Sequence, residues 1–372
     1  MENLKRHDDG WPSVDYLLSK VGSGPAGYGM SDVRVGKTTT GSKLIEEAIL
    51  KEDERPLYIC INAGANTLAQ TLIDLQSKTD SLIFNNLLNK IKVYDDAGQD
   101  DAGAWIASTF PNLHYQRSQH QVFNFMNEKG PVTWDSTFYV GKGQHMWARE
   151  HVQTNHGPLG ELYPTRMKWK RPDLFSTLEG GGTSTWIGHV NRGLYVPEEM
   201  TWGGWGGRFE AEKSKNVLAD QLKWANLVET EDTYKPFYMF KETSDEWIDP
   251  KTGKTYNDIG APIYRWRQAY QNDFEARMDW CISTFDKANH NPVAAFFDDT
   301  SDGIIYISAK GGEHITLDAS ALTGSIQNYV ITDAQKNILG LPPTLEAVEG
   351  VNFDDAGVGA CYIYHITTHT VQ

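Results

Sequence analysis

The sequence predicts an α/β protein: a parallel sheet with crossover helices, followed by a small β-sandwich. Three observations carry this. Strand-like and helix-like runs alternate quickly between Pro56 and Gln116, as parallel sheets require. A single helical apolar stripe then runs through Trp266, Tyr270, Phe274, Met278, Cys281, Ile282 and Phe285. After Pro292 the texture changes to short β-branched or aromatic runs separated by turns. A length of 372 residues suits two domains, divided near Asn291-Pro292 into residues 1–290 and 291–372.

The elements follow in chain order. Residues 11–36 read as loop, with the glycine-rich stretch Val21–Gly29 at the centre. No strand precedes it and no Gly-Lys-Ser/Thr ending follows, so it is a connection rather than a phosphate loop. Ser42 is the expected N-cap of a helix over Lys43–Lys51. Pro56–Ile61 reads as a buried strand, Asn62–Asn66 as a turn, and Thr67–Ser77 as a helix with Leu68, Leu72 and Leu75 on one side. A second helix ends at Leu87–Ile91, and Ile91–Tyr94 is the next strand. An acidic turn, Asp95–Asp101, leads into a helix over Ala102–Thr109, and Leu113–Gln116 suits a third strand. Ligands of such sheets bind beyond the carboxyl ends of the strands, where the Asn62–Asn66 and Asp95–Asp101 turns fall. Residues 117–210 carry long irregular segments with His120, His145, His151 and His156, and such segments usually serve function. Residues 211–260 read as polar, and Tyr264–Lys287 as a helix. The β-sandwich is assigned to Ile304–Ser308, His314–Leu317, Asn328–Ile331 and Ala360–Ile366.

Composition narrows the partners. The formal charge of −15, from 34 basic and 49 acidic residues, opposes binding to a nucleic-acid polymer or an anionic membrane. No apolar run approaches the length that spans a bilayer, and the segment Met1–Gly10 has no apolar core of a secretion signal. An uncharged sugar, nucleoside or polysaccharide remains compatible, and twelve tryptophans and seventeen tyrosines lean towards a flat ligand. Cys60, Cys281 and Cys361 lack metal-ligand spacing; the first two read as buried thiols.

Trp202-Gly-Gly-Trp-Gly-Gly-Arg-Phe-Glu210 is the most distinctive stretch. Trp202 and Trp205 offer flat apolar faces, while Arg208 and Glu210 offer donors and a carboxylate. The loop suits a platform for a sugar or a base or, on the other reading, a glycine-rich turn whose tryptophans plug a domain interface. There is no Gly-x-Ser-x-Gly elbow and no Cys–His pairing to support acyl chemistry.

Several landmarks resemble the nucleoside-hydrolase-like family that includes a cellulose-binding protein of a polysaccharide-degrading bacterium. They are His7-Asp-Asp-Gly-Trp-Pro-Ser13, Ser23-Gly-Pro25, Ala63-Gly-Ala-Asn-Thr-Leu-Ala69, Gln99-Asp-Asp-Ala-Gly103, His156-Gly-Pro-Leu-Gly160, the Trp202–Glu210 loop, Arg277-Met-Asp-Trp280 and Leu317-Asp-Ala-Ser320. The resemblance implies a nucleoside-hydrolase-like (Rossmann-like) α/β domain, an immunoglobulin-like C-terminal domain and a secreted or periplasmic protein. In the wider superfamily an N-terminal aspartate cluster holds a calcium ion that binds the sugar diol and the attacking water. Asp8 and Asp9 precede a Gly-Trp-Pro turn and do not match it, so the strand bearing that cluster would lie upstream of Met1.

The resemblance carries further roles residue by residue. Gly64–Ala69 resembles a loop whose backbone carbonyl binds calcium, here at Asn66 or Thr67. Asp100-Asp-Ala-Gly-Ala104 resembles a segment flanking the pocket, although an aspartate there also suits a helix cap. Glu179-Gly-Gly-Gly182 stands where the family's Glu-Gly-Asp is expected, short of one acid. Glycosidic hydrolysis needs a carboxylate to activate water and stabilisation of an oxocarbenium-like sugar. The prospective catalytic groups are Asp100, Asp101, His156 and Glu179, with Asn66, Asp95 and Asp96 as prospective calcium ligands. Asn62, Asn66, Trp202, Trp205, Arg208 and Glu210 are the prospective substrate contacts. The expected function is hydrolysis of an N- or O-glycosidic bond, or else non-catalytic carbohydrate binding through the tryptophan loop.

Overall fold

The computed structural model describes residues 3–121, 149–163, 167–168, 171–175, 182–190, 193–215, 236–250 and 252–290, with isolated residues 299, 304, 306 and 308. The expected β-sandwich over 291–372 therefore lies almost wholly outside the described residues, as do Glu179, His145 and Cys361.

A short helix α1 (Val14–Ser19) precedes α2 (Thr40–Leu50). Thr39, not Ser42, is the N-cap of α2: the Thr39 hydroxyl accepts from the Ser42 amide, and Ser42 answers from the third helical position as a capping box. The helix thus starts earlier than Lys43. Strand β1 (Leu57–Ile61), α3 (Asn66–Lys78), α4 (Ser81–Lys90), β2 (Ile91–Asp96), α5 (Ala102–Thr109) and β3 (His114–Ser118) follow in the expected alternation. The expected acidic turn begins later, because Asp95 and Asp96 are still strand residues.

Beyond β3 come α6 (Gly157–Leu162), the hairpin β4 (Met167–Lys168) and β5 (Arg171–Phe175), and α7 (Ser184–Ile187). Strands β6 (Ser214–Lys215) and β7 (Tyr238–Lys241) return to the sheet, and β8 (Asp245–Ile248) pairs with β9 (Thr255–Asp258) as a separate hairpin. The helix expected over Tyr264–Lys287 is divided into α8 (Ala261–Tyr264) and α9 (Arg267–Trp280), and the chain turns after Cys281. Pro262 occupies the first turn of α8, where its missing N–H costs nothing.

The sheet has the order β1-β2-β3-β7-β6, parallel from β1 through β7, with β6 antiparallel at the far edge. This is a mixed α/β fold with a mainly parallel sheet. Its period-two pleat sorts side chains. Ile91 and Val93 on β2, Tyr115 on β3 and Met239 on β7 join the core built with Leu68, Leu72 and Ile106 of α3 and α5. Tyr94 and Phe240 sit on the other face, where Tyr94 meets Phe209 edge-on at 5.2 Å. A second core gathers Val152, Ile187, Trp205, Ile263, Tyr270 and Met278. Among the described residues no helix is long and apolar enough to cross a membrane.

Candidate functional site at the carboxyl end of the sheet

The carboxyl ends of β1, β2 and β3 bring together Asn62, the Asp95–Asp101 segment and Ser118. Consecutive strand residues face opposite ways, so Asp95 and Asp96 meet different surroundings. Asp95 pairs in register with Arg117 and Asp96 with Ser118. Asp95 Oδ2 accepts from Tyr115 Oη at 2.8 Å and Arg117 Nε at 2.9 Å, and its Oδ1 accepts from the Gly98 amide at 3.2 Å. That carboxylate holds the fold together. Asp96 is equally buried but has no such partner for Oδ1. Burial, followed by the negative charges of Asp95 and Glu242, pushes its carboxyl up to about 8.

Asp100 and Asp101 fasten loops. Asp100 Oδ1 accepts from the amides of Ala65 at 2.9 Å and Ala102 at 3.1 Å, and burial is the main cause of its rise to about 6. Asp101 Oδ1 accepts from the Met30 amide at 3.0 Å, which ties the glycine-rich 22–29 connection to the sheet's end. Asp101 stands at the N-cap position of α5 but makes no side-chain cap. Asn62 is exposed and accepts from Thr185 Oγ1 at 2.6 Å, linking β1 to α7. Asn66 donates to the carbonyls of Gly27 at 2.9 Å and Pro25 at 3.3 Å.

These arrangements do not suit calcium, which takes six to eight oxygens from carboxylates, carbonyls and water. The Asn66 side-chain nitrogen donates to Gly27 while its Oδ1 accepts from Thr67 Oγ1 at 3.4 Å, and the Thr67 carbonyl, in the first turn of α3, accepts from Thr71 Oγ1 at 2.9 Å. Asp95 is shared between a guanidinium and a phenol. Among the described residues no three His, Cys, Asp or Glu groups converge where a metal could sit.

The tryptophan loop lies over the β2 end, because Tyr94 Oη donates to the Gly206 carbonyl at 2.7 Å. Its glycines are needed for backbone shape: Gly203 and Gly207 have φ of 80° and 100°. Trp205 belongs to the second core, edge-on to Tyr270 at 6.2 Å, whereas Trp202 is partly exposed. Arg208 Nη2 donates to the Ser244 carbonyl at 2.6 Å, and Glu210 accepts from Ser214 Oγ at 2.7 Å. Those two side chains therefore have partners within the protein. His156 is buried apart from the acids, with Nε2 3.1 Å from Asp279 Oδ1 on α9. Cys60 and Cys281 are both only partly buried, and Cys60 Sγ donates to the Thr185 carbonyl at 3.2 Å.

Sequence reasoning missed three polar groups at this end: Ser118, Ser184 and Glu242. Glu242 accepts from the amides of Gln119 at 2.6 Å and His120 at 2.8 Å, and its Oε1 lies 2.7 Å from His120 Nδ1. The signal for it was available: like Asp96 after Tyr94, it is an acid two positions beyond an apolar strand run, here Phe237–Phe240.

Comparison with known proteins bears on this site. Residues 1–209 match the family described as "Cellulose-binding Sde182, nucleoside hydrolase-like domain". A solved structure of a nucleoside hydrolase-related hypothetical protein from Saccharophagus degradans, described as associated with carbohydrate metabolism, is similar with a TM-score of 0.68 and 32% identity. The similarity covers 87% of this chain and 69% of that one. No curated protein matches the chain.

Proposed function

This chain belongs to the cellulose-binding, nucleoside hydrolase-like family, and on that premise we propose that it binds a polysaccharide such as cellulose beside the carboxyl end of its sheet. The observation that carries the reading is the position of Trp202. Its partly exposed indole stands on a loop that Tyr94 pins over the end of β2. A flat aromatic face suits the apolar face of a glucan, and nearby polar groups meet its hydroxyls. The engagement of Asp95, Asp100 and Asp101 in holding strands and loops supports binding over turnover. Such a ligand is met outside the cytoplasm, so secretion is part of the proposal, as is an immunoglobulin-like module in residues 291–372. Trp202→Ala should cut retention on insoluble cellulose by about tenfold, the scale of one lost stacking contact. Unchanged retention would sink the reading.

One observation favours a second reading, hydrolysis of a glycosidic bond. Asp96, held up to about 8, carries its proton at neutral pH, as the general acid of such a reaction must. Release of reducing sugar from cello-oligosaccharides, or of base from nucleosides, lost in Asp96→Ala, is the test. No turnover of either class by folded protein excludes this reading.

A further inference from the structure

We propose that Asp96, Ser118 and Ser184 form a buried subsite that takes adjacent hydroxyls of an uncharged sugar beneath the Gly203–Gly207 loop. The proposal rests on the carbohydrate reading above for the class of ligand, and on geometry for the place. Asp96 Oδ1 is sealed from solvent without a hydrogen-bond partner, and the buried hydroxyls of its register neighbour Ser118 and of Ser184 are turned towards the Tyr94 hydroxyl. Asp96, Ser118 and Ser184 are 4%, 0% and 1% exposed. A buried group left unsatisfied costs about 1–3 kcal/mol, so the Asp96 oxygen marks a place that a ligand completes.

Independent contacts put them in one place. Asp96 and Ser118 are partners in the β2–β3 register, on one face of the sheet. Ser118 and Ser184 both lie beside the Tyr94 hydroxyl, which donates to the Gly206 carbonyl overhead. A Cβ built on Gly206 would come within 3.0 Å of the Ser184 carbonyl, so the loop and α7 close on each other here.

The chemistry selects a neutral, hydroxylated ligand. An anion is disfavoured by the acids Asp95, Asp96 and Glu242. A cation finds only one open acid, because Glu242 is answered by two amides and the His120 ring, and Asp95 by Arg117. A sugar hydroxyl both donates and accepts. It can therefore satisfy a carboxyl oxygen and a serine hydroxyl at once, as adjacent hydroxyls of one sugar would. The loop covers the site, so the sugar enters with the loop raised.

The test is calorimetric titration of the whole chain with cellobiose, glucose and xylose, beside retention on insoluble cellulose. Ser118→Ala combined with Ser184→Ala should weaken binding by about tenfold at a temperature where the variant is fully folded. Asp96→Asn, which keeps a polar group there, should bind within about threefold of wild type, and Asp96→Leu should lose binding. Soaked crystals should show sugar hydroxyls at these atoms. Wild-type affinity in the double serine variant, or ordered water alone at the three atoms under saturating sugar, overturns the subsite even where cellulose retention persists. Absence of cellulose retention with a monosaccharide still bound at Asp96 overturns only the broader reading.

Discussion

Arg117 on β3 lies across from Asp95 on β2, with Nη2 2.8 Å and Nε 2.9 Å from the same carboxylate oxygen and neither side chain open to solvent. Removing one member of such a pair strands the other charge in the interior, which costs about 3–5 kcal/mol. Asp95→Asn should therefore lower unfolding stability in urea by that amount. Replacing both members, with Asp95→Leu and Arg117→Met, should recover part of the loss. A double variant no more stable than the single one would mean the pair is needed for more than mutual neutralisation.

Gly98 guards the same pair. Its φ is +60°, and a Cβ there would lie 2.5 Å from the Arg117 guanidinium carbon. Gly98→Ala should cost about 1–3 kcal/mol through backbone strain and crowding. A melting temperature equal to wild type would show that the guanidinium can move aside freely.

The raised carboxyls set a pH dependence. Asp96 stands at about 8 and Asp100 at about 6, burial being the first cause in each, against an unfolded value of about 3.9. Both folded values are raised, so the native state holds protons that the unfolded chain has released. Below about pH 4 both states are protonated and nothing is lost. Stability falls as pH climbs, with the Asp100 loss complete above about 6 and the Asp96 loss above about 8. Asp96→Asn should flatten the upper part of that decline, by several kcal/mol at most, in chemical denaturation between pH 5 and 9. An identical slope in the variant would show that Asp96 ionises normally.

The two indoles of the glycine loop should separate stability from binding. Trp205→Ala empties a place in the second core and should cost about 3–5 kcal/mol. Trp202→Ala should cost clearly less stability than Trp205→Ala while releasing the protein from cellulose. Urea titration and a cellulose pull-down on the same samples decide it; a reversed pattern would exchange the two roles.

Much of the sheet was legible because its residues obey local rules. The five-residue run of β1 is apolar and bounded by turns, and Ala102–Thr109 forms its helix over the range that its composition indicated. β7 was not legible. Its run, Tyr238-Met-Phe-Lys241, is short and sits in a polar stretch, and only pairing with β3 makes it a strand. The acids at the β2 end were visible, but their division was not. The pleat predicts that Asp95 and Asp96 face apart, yet the Arg117 that claims one of them comes from another strand. Trp202 and Trp205 looked alike for the same reason: which indole is buried depends on Tyr270 in a helix far along the chain.

His120 and Glu242 touch although 122 positions separate them, and the register partners Gln116 and Phe240 of the neighbouring strands β3 and β7 are at least as far apart in the chain. The β1-α3-α4-β2-α5-β3 unit closes only short loops, while adding β7 requires closing a very long one. Loop closure must precede the contacts that reward it, so late docking of β7 is the expected kinetic order. Pulse-labelled hydrogen exchange during refolding should protect the β1 and β2 amides before those of β7 and of Gln119 and His120. The carboxyl-end site would then be the last part of the domain to acquire its shape, assembled on a half-sheet that is already in place.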